Sequence, residues 1–447
     1  MRLDPERRHF VAVREPAWKA EIRTATICSA ETGTPVGQTL ELSGNLEDVA
    51  LSPGCRQAAL AFGAGDDDTT GFLEFRDIRT GRVHGRTPLA SAASSLAWDP
   101  NGDRIAAICH SGQLLIACPG SNAPVTWAQP LESAPMQVHP FVAFTPEGSS
   151  LISLTPAGAL EVREAATGQL RYPALRAEPI GFWNFAVSRD GQILASTTRS
   201  GRVDVWNVQT GVRQGDPLYH PGWVYRCSFS ADGTLLVTAC HDGRSRVWDL
   251  RSGQQSGQPL AHPKEVYDAV FTPDGRWVLT ASRDGGIRFW DWQSGGMVAP
   301  PFKVGDQAFT IDITADGQYA VIGSLDSTIH VLCLGLLKEK IPWGGSELRL
   351  LAEVVSGSVV ARGMIRELTT AEWLQGAREL RKIRPELLPP WWNPPVAISA
   401  KNACPRAVDS VAGAVDKAAS AAACPNSSAC GNKDCPSSAQ PKDQLPL

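Results

Sequence analysis

The hydrophobic positions of this chain come in short runs, each closed by a turn. A typical unit reads LLVTACHDGRSRVWDLRSG, residues 235–253. Leu235 to Ala239 is apolar and rich in β-formers. Asp242-Gly243 supplies the positive-φ turn of a hairpin, Arg246-Val247-Trp248 begins the return strand, and Ser252-Gly253 ends it. VLTASRDGGIRFWDWQSG at 278–295 repeats the unit, and ILASTTRSGRVDVWNVQTG at 193–211 does so with Ser200-Gly201 at the turn. Ahead of each unit stands another apolar run, closed by a turn of the form Ser/Thr-Pro-Asp-Gly. Its copies are VALSPG ending at Gly54, LAWDPNG at Gly102, VAFTPEG at Gly148, FAVSRDG at Gly191, CSFSADG at Gly233, AVFTPDG at Gly275 and DITADG at Gly317. Successive glycines lie 48, 46, 43, 42, 42 and 42 residues apart. A period of ~42 is too long for leucine-rich or ankyrin units and falls in the range of four-stranded blades. Three strands, three turns and a spacer such as QSGQPL predict one antiparallel blade per period, and the chain as a whole predicts an all-β propeller.

The number of blades is open between seven and eight. LDPERRHFVAV aligns with the end of an inner-strand turn and the strand after it, and IRTATICSAETG aligns with a third strand and its turn. Eight third-strand copies are thus countable against seven inner-strand copies. The surplus fits a seven-bladed ring with extra N-terminal strands, an eighth blade completed by the C-terminal segment, or a fragment of a longer polypeptide; eight blades is the preferred expectation. The propeller is assigned to residues 1–334 and a closing segment with a helix to 335–388. In that segment Leu348, Leu350, Leu351, Val354 and Val355 fit a strand or a helix, and Thr369 with Glu372 three residues on reads as a helix start running to the break at Pro385. From 389 to 447 the composition turns to Pro, Ala, Ser and Cys, and disorder is expected.

Composition narrows the function. The formal charge is −4, so the basic excess of a nucleic-acid binder is missing. The most apolar run, Val331 to Leu337, is far shorter than the ~18 residues of a membrane span. The opening MRLDPERRHFVAV lacks the apolar stretch of a secretory signal, and the 11 cysteines are read as reduced thiols, so a cytoplasmic protein is expected. Cys404, Cys424, Cys430 and Cys435 lack the two-residue gap that structural zinc sites favour. No Gly-x-Ser-x-Gly elbow, His-Glu-x-x-His helix or phosphate loop occurs. The expectation is a non-enzyme without cofactor or metal.

These repeats resemble the WD-repeat (WD40) family. Trp248-Asp249 and Trp290-Asp291 are literal WD dipeptides and Trp206-Asn207 is a near miss, whereas Arg76-Asp77, Arg163-Glu164 and Leu332-Cys333 fill the same slot elsewhere. His220-Pro221 and His262-Pro263 replace the family's Gly-His. The resemblance implies a buried polar network of His220, Thr238, Asp242 and Trp248 in one blade and His262, Thr280, Asp284 and Trp290 in the next, with a scaffolding role. A narrower resemblance lies in SGQQSGQPLAHPKEVYDAVFTPDGRWVLTASRDGGIRFWD and in the later ELRLLAEVVSG and LTTAEWLQGARELR. These are similar to the propeller region of large bacterial Ser/Thr protein kinases of the planctomycete type. The kinase motifs themselves are absent, which implies a related architecture and no kinase activity.

Eight residues before the turn glycines stand Trp183, Tyr225, Tyr267 and Phe309; seven before stand Asn184, Arg226, Asp268 and Thr310. In WD-repeat proteins this rim of the channel is the usual docking face, and aromatic and Arg residues dominate binding hot spots. Trp183, Asn184, Tyr225, Arg226, Tyr267, Asp268 and Phe309 are therefore the candidate protein-binding residues. By alternation the aromatics share a side with Val187, Phe229, Phe271 and Ile313, which predicts packing between blades. Arg226 and Asp268 are then the favoured contacts. The function expected is a non-catalytic protein-interaction scaffold in bacterial signalling. Its partners would be other proteins or peptides, among them a kinase encoded upstream or in the same pathway, and neither nucleic acid nor membrane. The alternatives are a channel-site propeller enzyme, hydrolase or lyase, and a detached sensor fragment of a longer kinase.

Overall fold

The computed structural model describes residues 3–334 apart from 15–22, 43, 64–70, 120–124, 129–137, 178–180 and 327, together with 358–361, 364–367 and 398–399. Eight antiparallel sheets follow one another along the chain as the blades of a propeller. The inner strands of blades 2 to 8 are Asn45–Leu51, Ala93–Trp98, Phe141–Phe144, Phe182–Val187, Val224–Phe229, Val266–Phe271 and Ala308–Ile313. Each pairs with the strand that follows it, so every blade is a meander running outward. The expectation of eight blades holds.

Alternation along the strands explains the assembly. Each sheet is apolar on both faces, and each face is covered by the next blade. Eight apolar clusters result, one at every junction, including that between the last blade and the first. At the closing junction Leu3, Phe10, Ala12, Cys28 and Ala30 of blade 1 meet Val321, Ile329 and Val331 of blade 8.

Blade 1 begins with His9–Arg14, which pairs with Arg23–Ser29 and then Leu40–Leu42. Leu3 bridges Phe10 as Phe229 pairs with Leu236 in blade 6, so it takes the place of the last inner-strand residue. Beyond it, no described strand lies inside His9–Arg14. A cavity of about 340 Å³ adjoins that place and reaches across the ring, lined by Val11 and Val13 of blade 1, Asp48 and Val49 of blade 2, Ser94 and Ser95 of blade 3, Phe141 of blade 4, and Ser324 and Ile329 of blade 8. In blade 8 the outermost strand is Ile398–Ser399, drawn from the stretch expected to be disordered and paired with Thr328 and Ile329. Ser358–Ala361 and Met364–Glu367 form a separate hairpin. The expected helix from Thr369 and the four tail cysteines lie outside the described residues.

The repeat carries one offset that glycine spacing hides. In blade 6 the residue whose N–H returns to Ser230 O is Gly233, but in blade 2 the residue returning to Ser52 O is Cys55, not Gly54, and in blade 1 Arg7 returns to Asp4 O. Cys55 (φ 51) and Arg7 (φ 54) are the two non-glycine residues with positive φ among those described.

Ring closure by side-chain packing has a direct test. Phe10 is fully buried at the closing junction, so Phe10→Ala should cost about 3–5 kcal/mol in urea unfolding. Phe309→Ala, at a site 45% exposed, should cost well under half as much. Equal losses would show that blade 1 does not pack against blade 8.

Candidate interaction surface

The inner strands share a local irregularity that sets where their side chains go. In six of them the register to the next strand slips by one residue, between Leu46 and Asp48, Ala93 and Ser95, Phe182 and Asn184, Val224 and Arg226, Val266 and Asp268, and Ala308 and Thr310. The residues left over are Glu47, Ser94, Trp183, Tyr225, Tyr267 and Phe309. A bulge of this kind re-aims a side chain and breaks the two-residue alternation. Of the four aromatics expected to pack between blades, Trp183 packs against the apolar cluster between blades 4 and 5, whereas Tyr225, Tyr267 and Phe309 meet across blades at the rim. Trp183, Tyr225 and Tyr267 are half-buried, and Phe309 is exposed.

The resulting strip is continuous over blades 5 to 8. The Arg199 guanidinium lies 4.1 Å from the centre of the Trp183 ring and 5.1 Å from that of Trp223. Trp223 leans on Tyr225 at 6.4 Å and on His241 at 5.8 Å. Tyr225 meets Tyr267 at 5.2 Å, and Tyr267 meets Phe309 at 5.4 Å. The hydroxyls are used as well: Tyr225 Oη lies 2.8 Å from His241 Nδ1, and Tyr267 Oη donates to Gln307 Oε1 at 3.0 Å. Beside them Arg283 is paired with Glu265 at 2.9 Å. Sequence reasoning missed Arg199, Trp223 and His241. Trp223 stands two residues before Tyr225, but it has no counterpart in the other blades and so carries no repeat signal.

One residue further along each inner strand, the polar row links blade to blade. Arg226 Nη1 of blade 6 donates to Asp268 Oδ2 of blade 7 and to Thr310 Oγ1 of blade 8, both at 3.2 Å. Asp268 Oδ2 also accepts from Thr310 Oγ1 at 3.2 Å and from Ile311 N at 3.1 Å. The same row recurs across the ring: Leu96 N donates to Asp48 Oδ2 at 2.8 Å, and Val142 N to Ser95 Oγ at 3.4 Å. Asp268 is thus buried and engaged inside the ring, while Arg226 remains 42% exposed. Burial holds the Asp268 carboxyl above the usual carboxylate range, outweighing Arg226, Ile311 N–H and the Thr310 hydroxyl, which pull it down. Asn184 lies half-buried in the same row.

The two networks implied by the family resemblance form in part. In blade 6 His220 Nε2 lies 2.8 Å from Thr238 Oγ1, which also accepts from Trp248 Nε1 at 3.2 Å. His220 Nδ1 donates to Gly201 O at 3.1 Å. In blade 7 the corresponding distances are 2.7 Å from His262 to Thr280 and 2.9 Å from Trp290 to Thr280, with His262 Nδ1 on Leu260 O at 3.0 Å. Asp242 and Asp284 stand apart from the histidines and grip Arg246 and Arg288 four residues on. The repeated Asp-x-x-x-Arg was the signal for that pair. Burial pushes both histidines down to about 4, which keeps them neutral, with the proton on the nitrogen that faces the carbonyl.

Among the described residues no helix is long and apolar enough to cross a membrane. Residues 217–249 and 254–291 match the family model described as WD domain, G-beta repeat. Together with the ring of blades, these matches support a WD40 family. No curated protein matches the chain. Among solved structures, the computationally designed Ika8 protein superposes with a TM-score of 0.57 at 18% identity, over 73% of this chain and 97% of that one. At that identity the likeness is one of fold.

The neutral histidines make a prediction about acid. An unfolded histidine titrates near 6.5, so between about 6.5 and 4 the unfolded chain takes up protons that the folded chain refuses. Stability should fall across this window by up to about 3 kcal/mol for each histidine. Asp268 works the other way, since its raised pKa adds stability as the pH falls through it. Urea unfolding between pH 7 and 4 should show the net loss, and His220→Asn with His262→Asn should flatten the profile. A profile unchanged by the two substitutions would place the acid sensitivity elsewhere.

Proposed function

We propose that the protein is a non-catalytic protein-interaction scaffold that docks a protein or peptide on the rim where the inner strands begin. WD40 propellers generally bind other proteins, and the observation that carries the reading here is the aromatic strip. Four bulges set Trp183, Tyr225, Tyr267 and Phe309 along the rim, and ring contacts from Tyr225 to Tyr267 to Phe309, with Arg199 bridging Trp183 to Trp223, hold them in order on the ring. Aromatic groups fixed in this way bind at little cost in conformational entropy. Asn184 and Arg226 border the strip on the channel side, and Asp268 acts by holding Arg226. The blade networks of His220 and His262 serve the scaffold.

The finer reading is a scaffold of bacterial signalling in the cytoplasm, related to WD40-repeat Ser/Thr kinases and working with a kinase of the same pathway. Its support is the resemblance of residues 252–291 and of the segments that follow the propeller.

The test is affinity capture from lysate of the source cells with the full chain, compared with the variant Tyr267→Ser/Phe309→Ser. Recovery of the specific partners should fall at least tenfold while the variant still unfolds cooperatively well above the capture temperature, as expected for the loss of central hot spots. The same partners recovered in equal amount would remove the strip from the binding surface. A kinase among the proteins lost would support the signalling reading.

A further inference from the structure

We propose that Asp4, His9 and Cys55 form a binding site for a divalent cation of the zinc type, which ties the first turn of blade 1 to the first turn of blade 2. The three residues each offer one ligand atom, an oxygen, a nitrogen and a sulfur, and these lie within 4.8 Å of one another.

The case rests on where the repeat is broken. At the position of Asp4 blades 6 to 8 carry Ser230, Thr272 and Thr314, whose hydroxyls accept the N–H five residues on, each at 3.0 Å, and blade 3 carries Asp99, whose Oδ1 accepts from Asp103 N at 2.9 Å and Arg104 N at 3.0 Å. A hydroxyl is enough for that task. Asp4 performs it with Oδ1, which accepts from Arg8 N at 2.6 Å and His9 N at 3.0 Å. Its second oxygen is left over, and this Oδ2 meets His9 Nδ1 at 2.8 Å. At the position of His9 the other blades carry residues as different as Gln57, Arg104, Leu235 and Tyr319, and an imidazole stands there in blade 1 alone.

The second departure is Cys55. It fills the turn position where Gly102, Gly148, Gly191, Gly233, Gly275 and Gly317 stand with φ between 67 and 78, and it adopts φ 51 itself. A side chain there costs roughly 1 kcal/mol or more of backbone strain, which persists where something else holds it. Gly54 N donates to Glu6 Oε1 at 3.0 Å, and this bond holds the Cys55 turn against the turn that carries Asp4 and His9. An aspartate, a histidine and a cysteine from the first turns of two blades therefore converge on one point.

Oxygen, nitrogen and sulfur together suit a borderline-soft ion, and zinc takes all three. With bonds of about 2.0–2.3 Å, tetrahedral ligand atoms stand about 3.3–3.8 Å apart, whereas here Oδ2 and Nδ1 lie 2.8 Å apart and the set spans up to 4.8 Å, so binding needs side-chain shifts on the order of half to one ångström. Three protein ligands leave the fourth position to water.

The repeat itself supplies the test variants, since each ligand can be replaced by the residue that another blade carries there. Cobalt(II) added to the metal-free full chain should give a thiolate charge-transfer absorption saturating at one equivalent, and zinc should raise the melting temperature by several degrees. Cys55→Gly should abolish both effects while the chain stays folded. Asp4→Ser and His9→Leu should weaken cobalt binding at least tenfold. No charge-transfer band in the unaltered chain would overturn the proposal. A band that survives Cys55→Gly would assign the metal to other thiols, such as those of the C-terminal cysteines, and would overturn it as well.

Discussion

The structure depends on the covering of both faces of every blade. A sheet with two apolar faces cannot stand in water, and a row of such sheets always leaves two faces bare at its ends. Joining the ends removes the last exposed faces, which is what Phe10, Val321 and their neighbours do. The remaining features follow from that closure. Inner strands converge on a channel, their polar row is pressed against the adjacent blade, and Asp268 is buried in consequence. Its Oδ2 is satisfied by groups from both neighbouring blades, and its Oδ1 accepts from Ala269 N of its own strand.

Much of the fold was legible in the chain because it rests on repetition. The strand-turn rhythm and the glycine spacing are visible seven times, and random sequence does not keep such a period. The surplus third strand before Gly54 pointed to the eighth blade. What could not be read was anything that occurs once, or that departs from strict alternation. The bulges moved Tyr225, Tyr267 and Phe309 from the expected side of their strands to the rim, and a bulge leaves no mark in the hydrophobic pattern when the shifted residue is itself aromatic. Cys55 escaped notice for a related reason: a glycine stands one residue earlier, so the spacing looked intact.

The polar residues show the same division. His220, Thr238 and Trp248 were identifiable through family likeness, because an indole and an imidazole both need a partner and the threonine hydroxyl serves both. Asp242 was placed in that group too, but Arg246 offers it two N–H donors at close range, and a charged fork outcompetes a neutral ring. Charge complementarity at four residues' distance decides the matter locally, before any contact between blades is made.

A ring of eight similar blades poses a difficulty of recognition. A partner that read only the shared features could settle in eight rotational registers, and selecting one of them corresponds to RT ln 8, about 1.2 kcal/mol. The aromatic strip runs over blades 5 to 8 alone; at the equivalent bulges blades 2 and 3 carry Glu47 and Ser94. Among the described bulges the rim is therefore lopsided, aromatic over blades 5 to 8 and not at blades 2 and 3. A bound molecule would meet a single preferred azimuth, so a near-symmetric disc acquires the compass bearing that an orienting platform requires.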